Sequence, residues 1–137
     1  MGQGRLALTM MAVAALGLAA LAAGPVAAAS EPLLPHPGPE GLVWVEEQRG
    51  DGGVVSGGAH PELPTVLTVA CEGGSVRVTM ESQQNEVAAF TVNCPAGASG
   101  AGSLTMDAGI VRPGSFTVGV DASAQTVRWA LTVTQPE

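Results

Sequence analysis

The side chains able to act on a substrate, a metal or a partner are few in this chain of 137 residues. They are two cysteines, Cys71 and Cys94, two histidines, His36 and His60, the tripeptide Arg49-Gly50-Asp51, the acidic pair Glu46-Glu47, and Trp44. The cysteines stand 23 positions apart with no histidine near either one. Zinc and redox sites use closely spaced thiols or thiol–histidine sets, so neither chemistry fits. One Cys71–Cys94 disulfide, formed in an oxidising compartment, is the state expected. Closing a loop of this length stabilises a fold by roughly 3 kcal/mol in the chain-entropy model.

Serine-type nucleophilic catalysis finds no frame, because no Gly-x-Ser-x-Gly occurs. His36 sits in a proline-rich stretch and His60 in a glycine-rich one. Neither setting holds a general base rigidly within hydrogen-bond reach of a proton. His-Glu-x-x-His, calcium-loop, phosphate-loop and dinucleotide glycine motifs are also missing from the sequence. The residues therefore predict a protein that is not an enzyme, with no catalytic residue, no cofactor and no metal site.

Arg49-Gly50-Asp51 spells the tripeptide of integrin-binding loops, and Arg-Gly-Asp-Gly-Gly is equally ordinary turn chemistry. Trp44 lies on the first expected strand, a possible sheet edge, and is the aromatic best placed for exposure. Trp44, Arg49 and Asp51 are accordingly the candidate interaction residues. The chain has no tyrosine, so a sugar-binding aromatic platform would have at most one ring, which disfavours carbohydrate. Glu46-Glu47 reads as a solvated strand end rather than a cation site.

The balance of 12 acidic to 5 basic side chains, a net charge of −7, argues against a nucleic-acid partner. A charged fraction of only 12% beside 46% apolar residues argues against disorder along the whole length. Residues 1–29 are a different material. Arg5 precedes an apolar stretch from Leu6 to Ala23, then helix-breaking Gly24-Pro25, then Ala27-Ala28-Ala29-Ser30. This order is that of a Sec-type signal peptide cleaved between Ala29 and Ser30. The stretch is mostly Ala and Gly and no positive cluster follows it, so removal is favoured over a membrane anchor. The expected product is secreted, has no stable membrane span, and is still more acidic because Arg5 is lost.

Residues 30–41 carry Pro32, Pro35, Pro37 and Pro39 and read as an extended spacer. From Leu42 onward apolar residues alternate with period two, the mark of a strand with one buried face. Seven short strands are expected: Leu42–Glu47, Thr65–Cys71, Ser75–Glu81, Glu86–Cys94, Ser103–Asp107, Ser115–Asp121 and Thr126–Thr134. Glu72-Gly73-Gly74 and Ser82-Gln83-Gln84-Asn85 read as turns. The last two strands read as a hairpin, with Trp129, Phe90 and Phe116 in the core. Gln48–Pro64 and Pro95–Gly102 read as long loops. No stretch after residue 41 shows sustained helical periodicity, so the fold class is all-β, an antiparallel β-sandwich of immunoglobulin-like or Greek-key type over residues 42–137. A partly open barrel is the alternative. In a flat meander the strands ending in Cys71 and Cys94 would flank a third at about 9.5 Å, beyond the reach of a disulfide. Either the bridge ties strand ends beyond that middle strand, or the chain changes sheet.

The segments CPAGASGAGSLTMDAG, RPGSFTVGVD and TVRWALTVTQP, with the arginine-only basic set and the Ala/Gly/Val/Thr richness, resemble small secreted proteins of actinobacteria, a functionally uncharacterised group. The resemblance implies export and a β-sandwich and supplies no site residue. A second similarity is to the secreted apoproteins that carry enediyne chromophores, acidic immunoglobulin-like sandwiches with two disulfides where this chain can form one. The function these features predict is a secreted, non-enzymatic interaction module whose partner is an extracellular protein or a cell-envelope component. The alternative is a small-molecule carrier or a protease-inhibitor-like protein; a carrier needs a preformed apolar cleft, and an inhibitor a rigid exposed loop.

Overall fold

A computed structural model describes residues 32–137. The expected signal peptide and its expected Ala29/Ser30 cleavage site lie outside the described residues. Residues Pro32–Glu137 form one compact unit. After a short 3-10 turn, Gly38–Glu40, come six strands: β1 (Gly41–Arg49), β2 (Gly52–Ser56), β3 (Thr65–Ser82), β4 (Asn85–Met106), β5 (Phe116–Ala122) and β6 (Arg128–Thr134). Every pairing is antiparallel. The hydrogen-bonded order is β1-β6-β3-β5-β2, with β4 beside β3.

The organising element is β3. Its first half, Val66 to Glu72, pairs with β6, and its second half, Val76 to Ser82, pairs with β5. On its other side β4 accompanies it along nearly the whole length. One sheet therefore consists of β1, β6, the first half of β3 and the second half of β4. The other consists of β2, β5, the second half of β3 and the first half of β4. The bent pair β3/β4 belongs to both, and the result is an antiparallel β-sandwich closed along one side.

The bend is written in the phase of the buried residues. Leu67, Val69 and Cys71 point inward at odd positions, whereas Val76, Val78 and Met80 point inward at even ones, and all six are fully buried. One extra residue in a strand is what reverses the alternation. The ladder is irregular between Glu72 and Gly74, and Gly73 between them has φ +94, a left-handed conformation open to glycine at little cost. Phe116, Trp129, Leu131 and Val133 close the core from β5 and β6. Burial of each such side chain contributes about 1.5–3 kcal/mol before the entropy of ordering is counted. The Trp129 indole N–H, inside this apolar core, donates to Gly50 O at 2.7 Å, so its one polar atom is satisfied.

The all-β class and the antiparallel sandwich agree with the sequence reading, but several element boundaries do not. There are six strands rather than seven: Glu72-Gly73-Gly74 is a bulge inside one long strand and not a turn, two further expected strands join as β4, and β2 is an addition. Pro95–Gly102 is not a free loop: only residues 95–98 arch out of the β3/β4 ladder, which resumes at Ser99 opposite Glu72. Residues 48–64 contain β2, paired with β5. The expected hairpin of the last two strands is absent: β5 pairs with β3 and β2, while β6 pairs with β1 and β3. The two strands occupy opposite sheets, and residues 123–127 cross between them. Residues 36–40 of the proline-rich stretch pack on the domain, and Gln135 N donates to Glu40 O at 3.0 Å. No helix among the described residues is long and apolar enough to cross a membrane.

Candidate binding face

Cys71 and Cys94 are disulfide-bonded with their Cα atoms 5.6 Å apart. They meet at the bend, where Gly74 lies opposite Cys94 and Cys71 lies opposite Gly100. The bridge thus links neighbouring strands at the place where both change sheet. A disulfide is compatible with an extracellular protein.

Arg49-Gly50-Asp51 joins β1 to β2 and carries the chain from one sheet to the other. Gly50 has φ +73 and is buried, its N–H donating to Val127 O at 3.0 Å and its carbonyl accepting from Trp129. Asp51 Oδ1 accepts from Ala122 N at 2.8 Å. The aspartate is therefore committed to bracing the connection after β5. Arg49 is exposed and stands opposite Arg128 of β6, at a cleft of about 400 Å³ shared with Glu72, Ala96 and Thr126.

Trp44 points out of the first sheet. It is half-buried, its ring edge-on to His36 at a centroid distance of 4.7 Å and an interplanar angle of 72°. His36 in turn accepts from Gly38 N at Nδ1, 3.0 Å away. The Trp44 indole N–H is buried and has no hydrogen-bond partner among the described residues. Such an atom is uncommon in folded proteins.

The strand registers set Trp44 in a row of aligned residues. Trp44 faces Thr132 on β6, Thr132 faces Thr68 on β3, and Thr68 faces Ser103 on β4. Directly opposed residues share a face of the sheet, so one indole and three hydroxyls cross four strands, a span of about 14 Å. Two residues further along, Ala130, Ala70 and Ala101 form a parallel row without polar side chains. Beyond them Arg128 faces Glu72. Arg128 Nη1 contacts Glu47 Oε1 and Nη2 contacts Glu72 Oε1, both at 2.6 Å. The Glu72 hydrogen bond, opposed by desolvation and reinforced by the charges of Glu47 and Glu72 and the Glu47 hydrogen bond, raises the Arg128 pKa above its ordinary value. The face is thus patterned: an indole and hydroxyl row, a smooth alanine row, and a charged rim.

No protein-family model matches the chain, and no curated protein matches it in sequence. The fold is shared with a carbohydrate-binding module. That solved structure, described as "CBM4 structure and function", matches with a TM-score of 0.50 at 11% identity, covering 63% of this chain and 61% of its own. The chain therefore spans about three fifths of that structure, and at this identity the likeness establishes the sandwich alone. A virus-like particle of the Macrobrachium rosenbergii extra small virus also aligns, at 15% identity over 88% of this chain and 97% of its own, with a TM-score of 0.23.

Of the candidates named from sequence, the structure brings Cys71 and Cys94 together, sets Trp44 on the outer face, and places Arg49 and Asp51 at the connection between sheets. Thr132, Thr68, Ser103, Arg128 and Glu72 were missed. Their period-two placement on the polar side of apolar strands was visible, but their alignment depends on registers between residues as far apart as Trp44 and Thr132.

Proposed function

We propose that this protein is exported with residues 1–29 as its signal peptide and acts as a non-enzymatic binding module. It contacts an extracellular protein or a cell-envelope component through the outer face of β1, β6, β3 and β4. The observation that carries this reading is the Trp44–Thr132–Thr68–Ser103 row, in which a half-buried indole with an unpartnered N–H aligns with three hydroxyl side chains, Thr132 largely buried and Thr68 and Ser103 reaching solvent, beside the Arg128 ion pairs. Interaction faces favour aromatic and arginine side chains, here Trp44 and Arg128. The shared fold of the carbohydrate-binding module supports a sandwich face as a binding platform and makes an envelope glycan one component to test. The carrier alternative is weakened by a sandwich interior filled with Trp129, Phe116, Leu67, Met80 and Leu131.

The test compares wild type with Thr68→Arg, which places a long cation in the middle of the row. Retention on cell-envelope preparations, and crosslinking to secreted proteins in culture, are measured for both. Loss of retention or crosslinking in a folded Thr68→Arg variant is the expected outcome. Equal behaviour of the two proteins overturns the assignment of the face. Release of a small molecule when the native protein is denatured, read by mass spectrometry, moves the carrier reading to first place.

A further inference from the structure

We propose that two copies of this chain pair through the free edge of β4, residues 100–106 running antiparallel about a twofold axis at Ser103. The argument begins with how the sandwich treats its edges. Unpaired strand edges invite association, and proteins guard them with charges, bulges or brevity. Edge strand β1 carries Glu46, Glu47 and Arg49 and two register irregularities. Edge strand β2 has five residues. Among the described residues strand β4 pairs with β3 alone; it is 22 residues long and carries no charged side chain from Val87 to Met106. Its last seven residues form a regular ladder with β3 on one side and pair with no strand of the described residues on the other.

The occupant follows from charge and shape. The chain is acidic, with a net charge of −7, so two copies repel wherever their carboxylates meet, and this uncharged strip lets them touch without that cost. With Ser103 opposite Ser103 of the second copy, Ala101 faces Thr105 and Gly102 faces Leu104. Asp107 then falls opposite Ser99, and no like charges are opposed. Leu104 is 37% exposed, one of three large apolar side chains so exposed among the described residues. A Cβ at Gly102 would lie 3.1 Å from Val92 Cγ2 and 3.7 Å from Phe90 Cε2. Val92 is already buried and Phe90 is only partly so, and Leu104 of the second copy is positioned to cover the exposed part of Phe90 beside Gly102. The contact is reciprocal, as a twofold interface requires.

A seven-residue strand pair buries well under the roughly 1,200–2,000 Å² of a standard interface, so the dimer is weak and forms in a concentration-dependent way. A twofold axis normal to the sheet keeps both outer faces on one side. The two Trp44 rows then lie end to end across eight strands, with the tryptophans about 34 Å apart. The pairing thus doubles the binding face and supplies avidity to a partner with repeated epitopes.

Analytical ultracentrifugation over a wide concentration range, on the secreted protein, tests this together with four variants. Wild type is expected to show a monomer–dimer equilibrium, strengthened by added salt, and Leu104→Lys to weaken it at least tenfold with an unchanged thermal midpoint. Under mild oxidation Ser103→Cys links to itself, because opposed Cα atoms fall within disulfide range. Ala101→Cys alone does not link, but links when mixed with Thr105→Cys. A wild type that stays monomeric at millimolar concentration overturns the proposal. So does a Leu104→Lys variant that dimerises as wild type does, or equal self-linking of Ala101→Cys and Ser103→Cys.

Discussion

The side-chain amide of Gln135 hydrogen-bonds both main-chain polar groups of His60, taking the place a residue of a neighbouring strand would occupy. His60 N donates to Gln135 Oε1 at 2.8 Å, and Gln135 Nε2 donates to His60 O at 3.0 Å. The second Nε2 proton goes to Thr65 Oγ1 at 2.9 Å. Gln135 is 4% exposed while His60 lies at the surface, so one buried side chain holds the segment between β2 and β3 to residues beyond β6.

Replacing Gln135 by Ala removes the partners of the part-buried His60 amide and carbonyl and of the buried Thr65 hydroxyl. The expected loss is about 1–2 kcal/mol, seen as a lower urea midpoint with an unchanged m-value. Gln135→Glu keeps the acceptor for His60 N but sets a carboxylate oxygen against His60 O and Thr65 Oγ1. It should be the worse substitution above pH 6 and recover part of the difference as the pH is lowered and the acid protonates.

The disulfide closes a loop between positions 23 apart. Cys71→Ala/Cys94→Ala should therefore lower stability by about 3 kcal/mol, largely by freeing the unfolded chain. Thermal unfolding of wild type with and without reductant should reproduce the shift. A loss far above this value would mean that the bend itself needs the bridge.

At the bend, two adjacent glycines should respond differently. A Cβ on Gly73 meets nothing within 4 Å, but the residue has φ +94, so Gly73→Ala costs about 1–2 kcal/mol through backbone strain alone. A Cβ on Gly74 would lie 2.6 Å from Ser123 Oγ and 2.7 Å from Val127 Cγ2. Gly74→Ala therefore costs about 1–3 kcal/mol through crowding. Trimming Val127 to Ala should offset part of the second cost and none of the first, a double-mutant cycle that separates the two mechanisms.

The β3–β4 turn holds Gln83 at φ 50 and Gln84 at φ 72, positions where tight hairpins favour Asn and Gly. Gln84→Gly should stabilise the protein by about 0.5–1 kcal/mol by removing left-handed strain. Gln83→Gly should bring no such gain, because the Gln83 side chain donates to Pro113 O at 2.7 Å and ties the turn to the segment before β5. Denaturant midpoints of the two single variants decide the matter.

The sequence by itself determined the all-β class, the buried face of the strongly alternating strands and the disulfide partners, while β2 lay unseen within an expected loop. Alternation such as Val76, Val78 and Met80 records locally which side meets the core, and two cysteines allow one intramolecular pair. Only the tertiary structure decided which strands are neighbours. β5 and β6, separated by a hairpin-length connection, bury the same faces whether they pair or arch across the sandwich, so their pattern is silent on the choice. The long central strand takes one of them on each half, because a single glycine bulge turns its buried face from one sheet to the other. The same holds for the binding face: Trp44, Thr132, Thr68 and Ser103 are ordinary outward residues until pairing aligns them in one row. Arg49-Gly50-Asp51 was legible as a turn. Its role in crossing between sheets depends on Trp129, Val127 and Ala122, groups more than 70 residues away that only folding brings near.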